Sequence, residues 1–394
     1  MHHSPNSYSE IISIKTTLCG ESIAYSSKPG LPEWDRVHPS VHLLAKYVEA
    51  KSTDRILLLG AAHGALIVYL SRKLSSGEIV IIDNNWIALT LANITARKNH
   101  LQNTTIEENI DLAPAFYNSF DLAIIGLPKG RNLAQRWIIN ANESLRTNGD
   151  LYISGANDLG IRSSIKDAES LIGSAQVLGF KKGHRVARIR KHQTNSVEPT
   201  WARKPGISPG TWHKFDANVH GKTMHIHSLP GIFSFNRVDM GTKLLLDTME
   251  ILHGEQVLDL GCGYGVIGLT AARLGAGQVT LVDNNLLATS AALKNVQTSK
   301  VDNANVIISD VLDAVSNQNF DLIISNPPFH TGKDVDYLVT RAFIEQSWQA
   351  LKDGGNLIMV ANKFIRYQAV LREYFSSSEC IAENTRYHVL KAAK

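Results

Sequence analysis

QVLDLGCGYGVIGLTA, residues 256–271, decides the fold. An apolar run of strand length passes straight into alternating glycines and then into a stretch with helical apolar spacing. A buried strand that turns through glycines directly into a helix is the opening unit of an open, mostly parallel α/β sheet. The same unit occurs earlier as RILLLGAAHGALIVYL, residues 55–70. The likeness extends outward in register. IVIIDNN (79–85) matches VTLVDNN (279–285), and FDLAIIGLPK (120–129) matches FDLIISNPPF (320–329). Asp83 and Asp121 are 38 positions apart, and so are Asp283 and Asp321. Further on, SLRTNGDLYISGAN (144–157) parallels ALKDGGNLIMVAN (350–362), and HRVARIRK (184–191) parallels TRYHVLKAAK (385–394). Chance likeness between short strands does not hold register over such distances, so the chain is a tandem duplication.

The expected fold is α/β: two tandem Rossmann-like domains, each a doubly wound, mostly parallel sheet ending in an antiparallel hairpin. The 394 residues suffice for two cores. Domains are expected at 1–193 and 223–394. Residues 194–222, rich in Pro, Gly and polar residues and without periodicity, form the expected linker. A net charge of +4 permits a nucleic-acid partner without requiring one. Cys19, Cys262 and Cys380 lie far apart with no C-x-x-C pair, which fits a reducing, cytoplasmic setting. The opening MHHSPNSYSEIISIK has no basic segment followed by an apolar one, and no uninterrupted apolar run approaches the roughly 18 residues of a membrane span, so no membrane association is expected.

The second copy carries the chemistry. Gly261, Gly263 and Gly265 let the backbone approach a ligand closely, with Cys262 as a small side chain among them. Asp283, at the end of the next strand and beside Asn284, lies 22 positions after Gly261, where a carboxylate accepts hydrogen bonds from ribose hydroxyls. A nucleoside-containing cofactor is the consequence. GCGYG is tighter than the G-x-G-x-x-G loop that seats a pyrophosphate, so S-adenosyl-L-methionine fits better than a dinucleotide. Asp259 is placed to engage its methionine end. In ISDVL (308–312), Asp310 with Val311 follows another strand and is placed to accept from the adenine amine; helix capping is the structural alternative.

IISNPPFH, residues 323–330, ends a buried strand in an amide, two prolines and a ring. Asn326 falls at the carboxyl edge of the sheet, where such folds bind ligands. Pro327 and Pro328 remove backbone donors and fix the turn, leaving the Asn326 side-chain oxygen and the Pro327 carbonyl as acceptors. Two acceptors suit one planar NH2 group and direct its lone pair at a sulfonium methyl. Phe329 offers a face on which a flipped base stacks. The alternative is an ordinary Asn-Pro-Pro turn.

At these residues the chain resembles class I S-adenosylmethionine-dependent methyltransferases, and more narrowly the ribosomal RNA guanine-N2 methyltransferases of the RsmC and RlmG group. The narrower likeness rests on NPPFH with His330, on LPGIFSFNRVDMGTKLLL (229–246) and on VANKFIRY (360–367). It implies methyl transfer to the N2 amine of a guanine in ribosomal RNA, with the RNA or a ribosomal subunit as partner. It also implies a degenerate first copy, and Phe233, Asp239 and Gly241 at the entrance of the cofactor pocket. Capping and packing of the following helix is the alternative for those residues.

The first copy departs from this pattern. Gly126 stands opposite Asn326, Leu127 opposite Pro327, Lys129 opposite Phe329 and Leu58 opposite Asp259. Residues 1–193 are therefore expected to be non-catalytic and to serve RNA binding, stabilisation of the catalytic domain, or both. KKGHRVARIRKH (181–192) has no acid and suits phosphate contacts, or equally a solvated hairpin. Trp201 and Trp212 are candidates for base stacking or for packing. His213, His220, His225 and His227 crowd one region but match no zinc spacing, and no metal is expected. Two rivals stay open: methylation of adenine N6 or of a protein glutamine amide, and a non-catalytic RNA-binding or ribosome-assembly module.

Overall fold

The computed structural model describes residues 7–60, 64–192, 198–328, 337–365 and 367–394. The chain forms two compact units, Met1–Trp212 and His213–Lys394. In the first, an antiparallel hairpin of β1 (Ile12–Leu18) and β2 (Glu21–Ser27) precedes α1 (Pro39–Tyr47), β3 (Arg55–Leu59), α2 (Ala65–Ser71), β4 (Glu78–Ile82) and α3 (Trp86–Lys98). Then come β5 (Thr104–Glu107), β6 (Phe120–Gly126), α4 (Arg131–Ser144), β7 (Leu145–Ala156), α5 (Ile161–Leu171), β8 (Ala175–Lys181) and β9 (His184–Arg190). The second unit repeats the order. Hairpin β10 (His213–Val219) and β11 (Lys222–Ser228) leads to α6 (Met240–Thr248), β12 (Gln256–Leu260), α7 (Val266–Arg273), β13 (Gln278–Asp283) and α8 (Leu286–Ser299). It continues through β14 (Ala304–Ile308), β15 (Phe320–Ser325), α9 (Tyr337–Ala350), β16 (Leu351–Asn362), α10 (Tyr367–Tyr374), β17 (Ser377–Glu383) and β18 (Tyr387–Ala393).

Each unit holds a seven-stranded sheet, in the order β5-β4-β3-β6-β7-β9-β8 and β14-β13-β12-β15-β16-β18-β17. Five strands of each run parallel, and the last two form the antiparallel hairpin. The central strands are buried on both faces: Ile56–Leu59 and Val257–Leu260 are all at most 1% exposed, as strands covered by helices on either side require. The copies share even their irregularities, with register shifts at Phe120/Leu122 and Phe320/Leu322 and at Val177/Gly179 and Cys380/Ala382. The paired aspartates that set the sequence register have one structural job. Asp121 Oδ2 accepts from the Arg55 amide and Asp321 Oδ2 from the Gln256 amide, each at 2.8 Å, fixing the start of the central strand.

The expected linker is corrected. Residues 198–212 fold onto the first unit: Ala202 and Ile207 pack with Ile139, the Trp201 indole N–H donates to Ser170 Oγ at 3.2 Å, and the buried Arg136 donates to the Gly206 carbonyl at 2.7 Å. Residues 213–222 begin the second unit as the β10–β11 hairpin. Three of its histidines have partners. His225 pairs with Asp216 at 2.7 Å, His227 lies against Asn295, and the His213 ring meets Phe235 edge-on. Among the described residues no group of three or more His, Cys, Asp or Glu is placed to hold a metal, and no helix is long and apolar enough to cross a membrane.

Candidate active site

The carboxyl ends of β12, β13 and β15 bring together Asp259, the glycine loop, Asp283 and Asn326. Gly261 and Gly263 have φ of 76° and 55°, and a Cβ on either meets nothing closer than 3.7 Å, from Phe343 and Ile232 respectively. Packing leaves these two positions open; backbone conformation and room for a ligand explain them. Gly265 and Gly268 differ, because a Cβ there runs into Leu281 at 3.0 and 2.7 Å, where α7 lies close on the sheet.

The loop spends its own donors. The Gly261 and Cys262 amides donate to the Val282 carbonyl at 2.9 Å, and the Gly263 amide donates to Asp283 Oδ2 at 2.9 Å. Asp259 is fully buried under the start of α7, where its Oδ2 accepts from the Gly268 amide at 2.8 Å while Oδ1 has no partner among the described residues. Burial pushes its carboxyl up to about 7, against the pull of the Gly268 amide, and the neighbouring Asp283 adds to the rise. A helix N-terminus already occupied by a carboxylate, next to a loop whose Gly261, Cys262, Gly263 and Gly265 amides are already bonded, disfavours a pyrophosphate and suits a cationic cofactor. Asp283 Oδ1 accepts from the Asn285 amide at 2.9 Å, and with three backbone amides on about four lone-pair sites the carboxylate keeps one acceptor site for a ribose hydroxyl. Its carboxyl too is raised by burial, although three backbone amides, of Asn285, Gly263 and Asn284, pull it down. The Cys262 thiol is raised well above its usual value by burial and by both aspartates, which leaves it inert.

Asp310 and Val311 follow β14, and the Ser309 amide donates to the Asp283 carbonyl at 3.0 Å, holding that corner beside Asp283. Val311 has φ of 52°, a left-handed conformation that a β-branched residue adopts only under constraint. Asn285 Nδ2 donates to the Gly231 carbonyl at 2.9 Å and Tyr264 Oη to the Arg237 carbonyl at 3.1 Å, so two bonds lay the 229–239 segment over the loop. Phe233, in that segment, is 64% exposed.

Asn326 shows how the site is aimed. Its Nδ2 donates to Thr242 Oγ1 at 2.8 Å, and its Oδ1 is buried without a partner among the described residues. Asp239 caps α6 by accepting from the Gly241 and Thr242 amides at 2.8 and 3.3 Å, so the capping alternative holds for Asp239 and the capped turn presents Thr242 to the amide. A Cβ at Gly241 meets the Tyr387 ring at 3.0 Å, which is a packing requirement. Thr242 was not singled out from the sequence, where nothing distinguishes it from any polar residue of a first helical turn. Pro327 is buried and Pro328 exposed; Phe329 and His330 lie outside the described residues.

The corresponding corner of the first unit is more crowded. A Cβ at Gly60 meets the Gly126 carbonyl at 3.0 Å and the Trp137 ring at 3.1 Å. Trp137 of α4 occupies the place that Phe343 of α9 has near Gly261, one ring larger and closer. Leu58 and Gly126 replace the orphan carboxylate and the amide.

The description "Methyltransferase small domain" matches residues 22–188 and again 223–391. Proteins named ribosomal RNA small subunit methyltransferase C are similar over most of their length. That of Pseudomonas entomophila is 33% identical over 277 residues, 70% of this chain and 80% of the relative, and that of Pseudoalteromonas atlantica is 34% identical over 275, covering 69% and 76%. The chain belongs to the ribosomal RNA small subunit methyltransferase C family. A solved structure of a T. thermophilus 16S rRNA N2 methyltransferase, RsmC, in complex with AdoMet and guanosine, superposes with a TM-score of 0.82 at 28% identity, covering 98% of this chain and 99% of that one. Family membership thus agrees with the duplicated fold, with both copies matched.

Proposed function

We propose that the second unit transfers a methyl group from S-adenosylmethionine to the exocyclic N2 amine of a guanine in small-subunit ribosomal RNA. The observation that carries this reading is the Asn326 amide, fixed through Nδ2 by Thr242 with a buried acceptor, Oδ1, left over. A buried acceptor without a donor is costly, about 1–3 kcal/mol, and a substrate N–H relieves that cost.

S-adenosylmethionine supplies, when bound, an electrophilic methyl on a sulfonium. The residues that would hold it are Asp259, Gly261, Gly263, Asp283, Asn284, Asp310 and Val311, with Phe233 at the rim. The residues suit it: a carboxylate oxygen unpartnered among the described residues for the cationic end, a cradle of glycines, and a carboxylate with one acceptor site left for the ribose. Asn326 Oδ1 and the Pro327 carbonyl accept the two N–H bonds of the guanine amine, which holds the nitrogen lone pair on the line of transfer. Both acceptors stabilise the positive charge that develops on nitrogen, and the proton that nitrogen sheds passes to solvent water. Pro328 fixes the turn, and Phe329 stacks the base. The first unit is read as non-catalytic, with Trp137, Leu58 and Gly126 in place of the cleft. Ribosomal RNA, free or in the assembled subunit, is the partner, and the cytoplasm is the setting.

Binding of free nucleosides to the cofactor-loaded protein tests the amine recognition. Guanosine is expected to bind, and inosine, which lacks only the 2-amino group, at least about tenfold more weakly. Equal affinity for the two contradicts this reading.

A further inference from the structure

We propose that the β8–β9 corner of the first unit is an RNA-docking surface, which stacks an unpaired base on Phe180 and pairs flanking phosphates with Lys181, Lys182 and Arg185. This rests on the reading of ribosomal RNA as substrate and adds where the degenerate copy engages it.

The register shift at Val177/Gly179 re-aims the end of β8, and Gly179 lets the strand lie directly on Tyr47, whose Oη a Cβ there meets at 2.6 Å. Phe180 is turned out, 75% exposed, with the Arg185 guanidinium 5.7 Å from its ring centre on the paired strand. Arg185 Nε is held by Asn157 Oδ1 at 3.0 Å, and the end of β8 and the turn after it add Lys181 and Lys182, with no acid in the chain from 181 through 192. An edge strand is commonly guarded by lysines against unwanted pairing. That explains the charge and leaves an exposed aromatic ring unexplained. A ring beside a guanidinium and two ammonium groups is the combination that binds single-stranded segments, one face for a base and cations for the backbone.

The duplication supplies an internal comparison. Phe180 pairs with Arg185 where Glu383 pairs with His388, and Asn157 stands where Lys363 does. In the second unit Glu383 forms an ion pair with Lys363 at 3.0 Å, so that corner is internally neutralised. In the first unit the acid is replaced by a ring and the cations are left available to phosphate.

The test is retention of small-subunit ribosomal RNA on filters by the full chain across a salt series, together with steady-state methyl transfer. Lys181→Glu with Lys182→Glu is expected to weaken RNA binding at least about tenfold and to flatten the logarithmic salt slope by about 2, one for each lost phosphate contact. Phe180→Ala is expected to weaken binding about 5- to 100-fold, and Phe180→Trp to restore it. In transfer, KM for RNA rises while kcat and cofactor affinity stay at wild-type values. Variants that bind RNA as tightly as wild type, or wild type that retains no RNA, overturn the proposal. Because retention is read without turnover, wild type that binds RNA but transfers no methyl counts against the methyltransferase reading alone.

Discussion

Thr242 Oγ1 accepts the Nδ2 proton of Asn326 at 2.8 Å, and this bond decides which end of the amide is left over for a substrate. Flipping the amide would place two donors against a substrate donor. Thr242→Val removes the acceptor and keeps the shape. It is expected to lower kcat about 10- to 100-fold with cofactor affinity within about twofold of wild type, and Thr242→Ser to restore most of the rate. Asn326→Ala is expected to lower kcat further, by about 100- to 1000-fold, again with cofactor binding retained. A parallel loss of cofactor affinity, measured by calorimetry, would show that Asn326 belongs to the cofactor pocket instead.

The buried Asp259 predicts a pH dependence of cofactor binding. Its carboxyl is raised to about 7, so it is largely protonated in the free protein below that pH. A cationic cofactor end brought beside it favours the ionised form, so binding releases a proton and affinity rises with pH. Between about pH 6 and 8 the dissociation constant should fall, by at most about tenfold per unit below the carboxyl's pKa, and level off above it. Asp259→Asn should flatten the profile. Calorimetry in two buffers of different ionisation enthalpy reads the proton directly, and a profile unchanged by the substitution would remove Asp259 from the site.

One cofactor per chain is expected. Trp137 lies over Gly60 in the first unit, and Leu58 replaces the carboxylate found in the second. Asp283→Ala should abolish binding, whereas Asp83→Ala should leave the stoichiometry at one. Two equivalents bound would contradict the non-catalytic reading of the first unit.

Much of this was legible in the sequence, for a physical reason: strands buried on both faces must be continuous apolar runs, and their glycine turns and terminal carboxylates recur at fixed distances in both copies. Gly261, Asp283 and Asn326 stand out because each breaks an apolar run where a strand ends. The first strand of the β10–β11 hairpin did not stand out. HKFDANV buries only Ala217 and Val219 among polar neighbours, too few to separate a strand from a loop. Residues 198–212 read as linker because Trp201, Ala202 and Ile207 follow no period; they are held by α4 and α5, not by their own pattern. Trp137 and Thr242 act across long stretches of chain, and the left-handed Val311 has no signature in its residue type.

Arg136 ties that segment down. It is 1% exposed, bonded to the Gly206 carbonyl and paired with Asp111. Asp111→Ala removes the carboxylate bonded to the buried guanidinium, leaving Glu143 as its acidic neighbour, and is expected to cost about 1.5–3 kcal/mol of first-unit stability. Arg136→Met with Asp111→Ala should recover part of that loss in denaturant unfolding. If the single variant loses less than about 1 kcal/mol, the pair does not clamp the segment.

The most direct test of the central claim is transfer of labelled methyl from S-adenosylmethionine to separated small-subunit RNA, large-subunit RNA, both intact subunits and total protein, followed by nucleoside analysis. The predicted product is N2-methylguanosine, in small-subunit RNA only, and lost with Asn326→Ala. Label in adenosine or in protein, or none in any fraction, would contradict it.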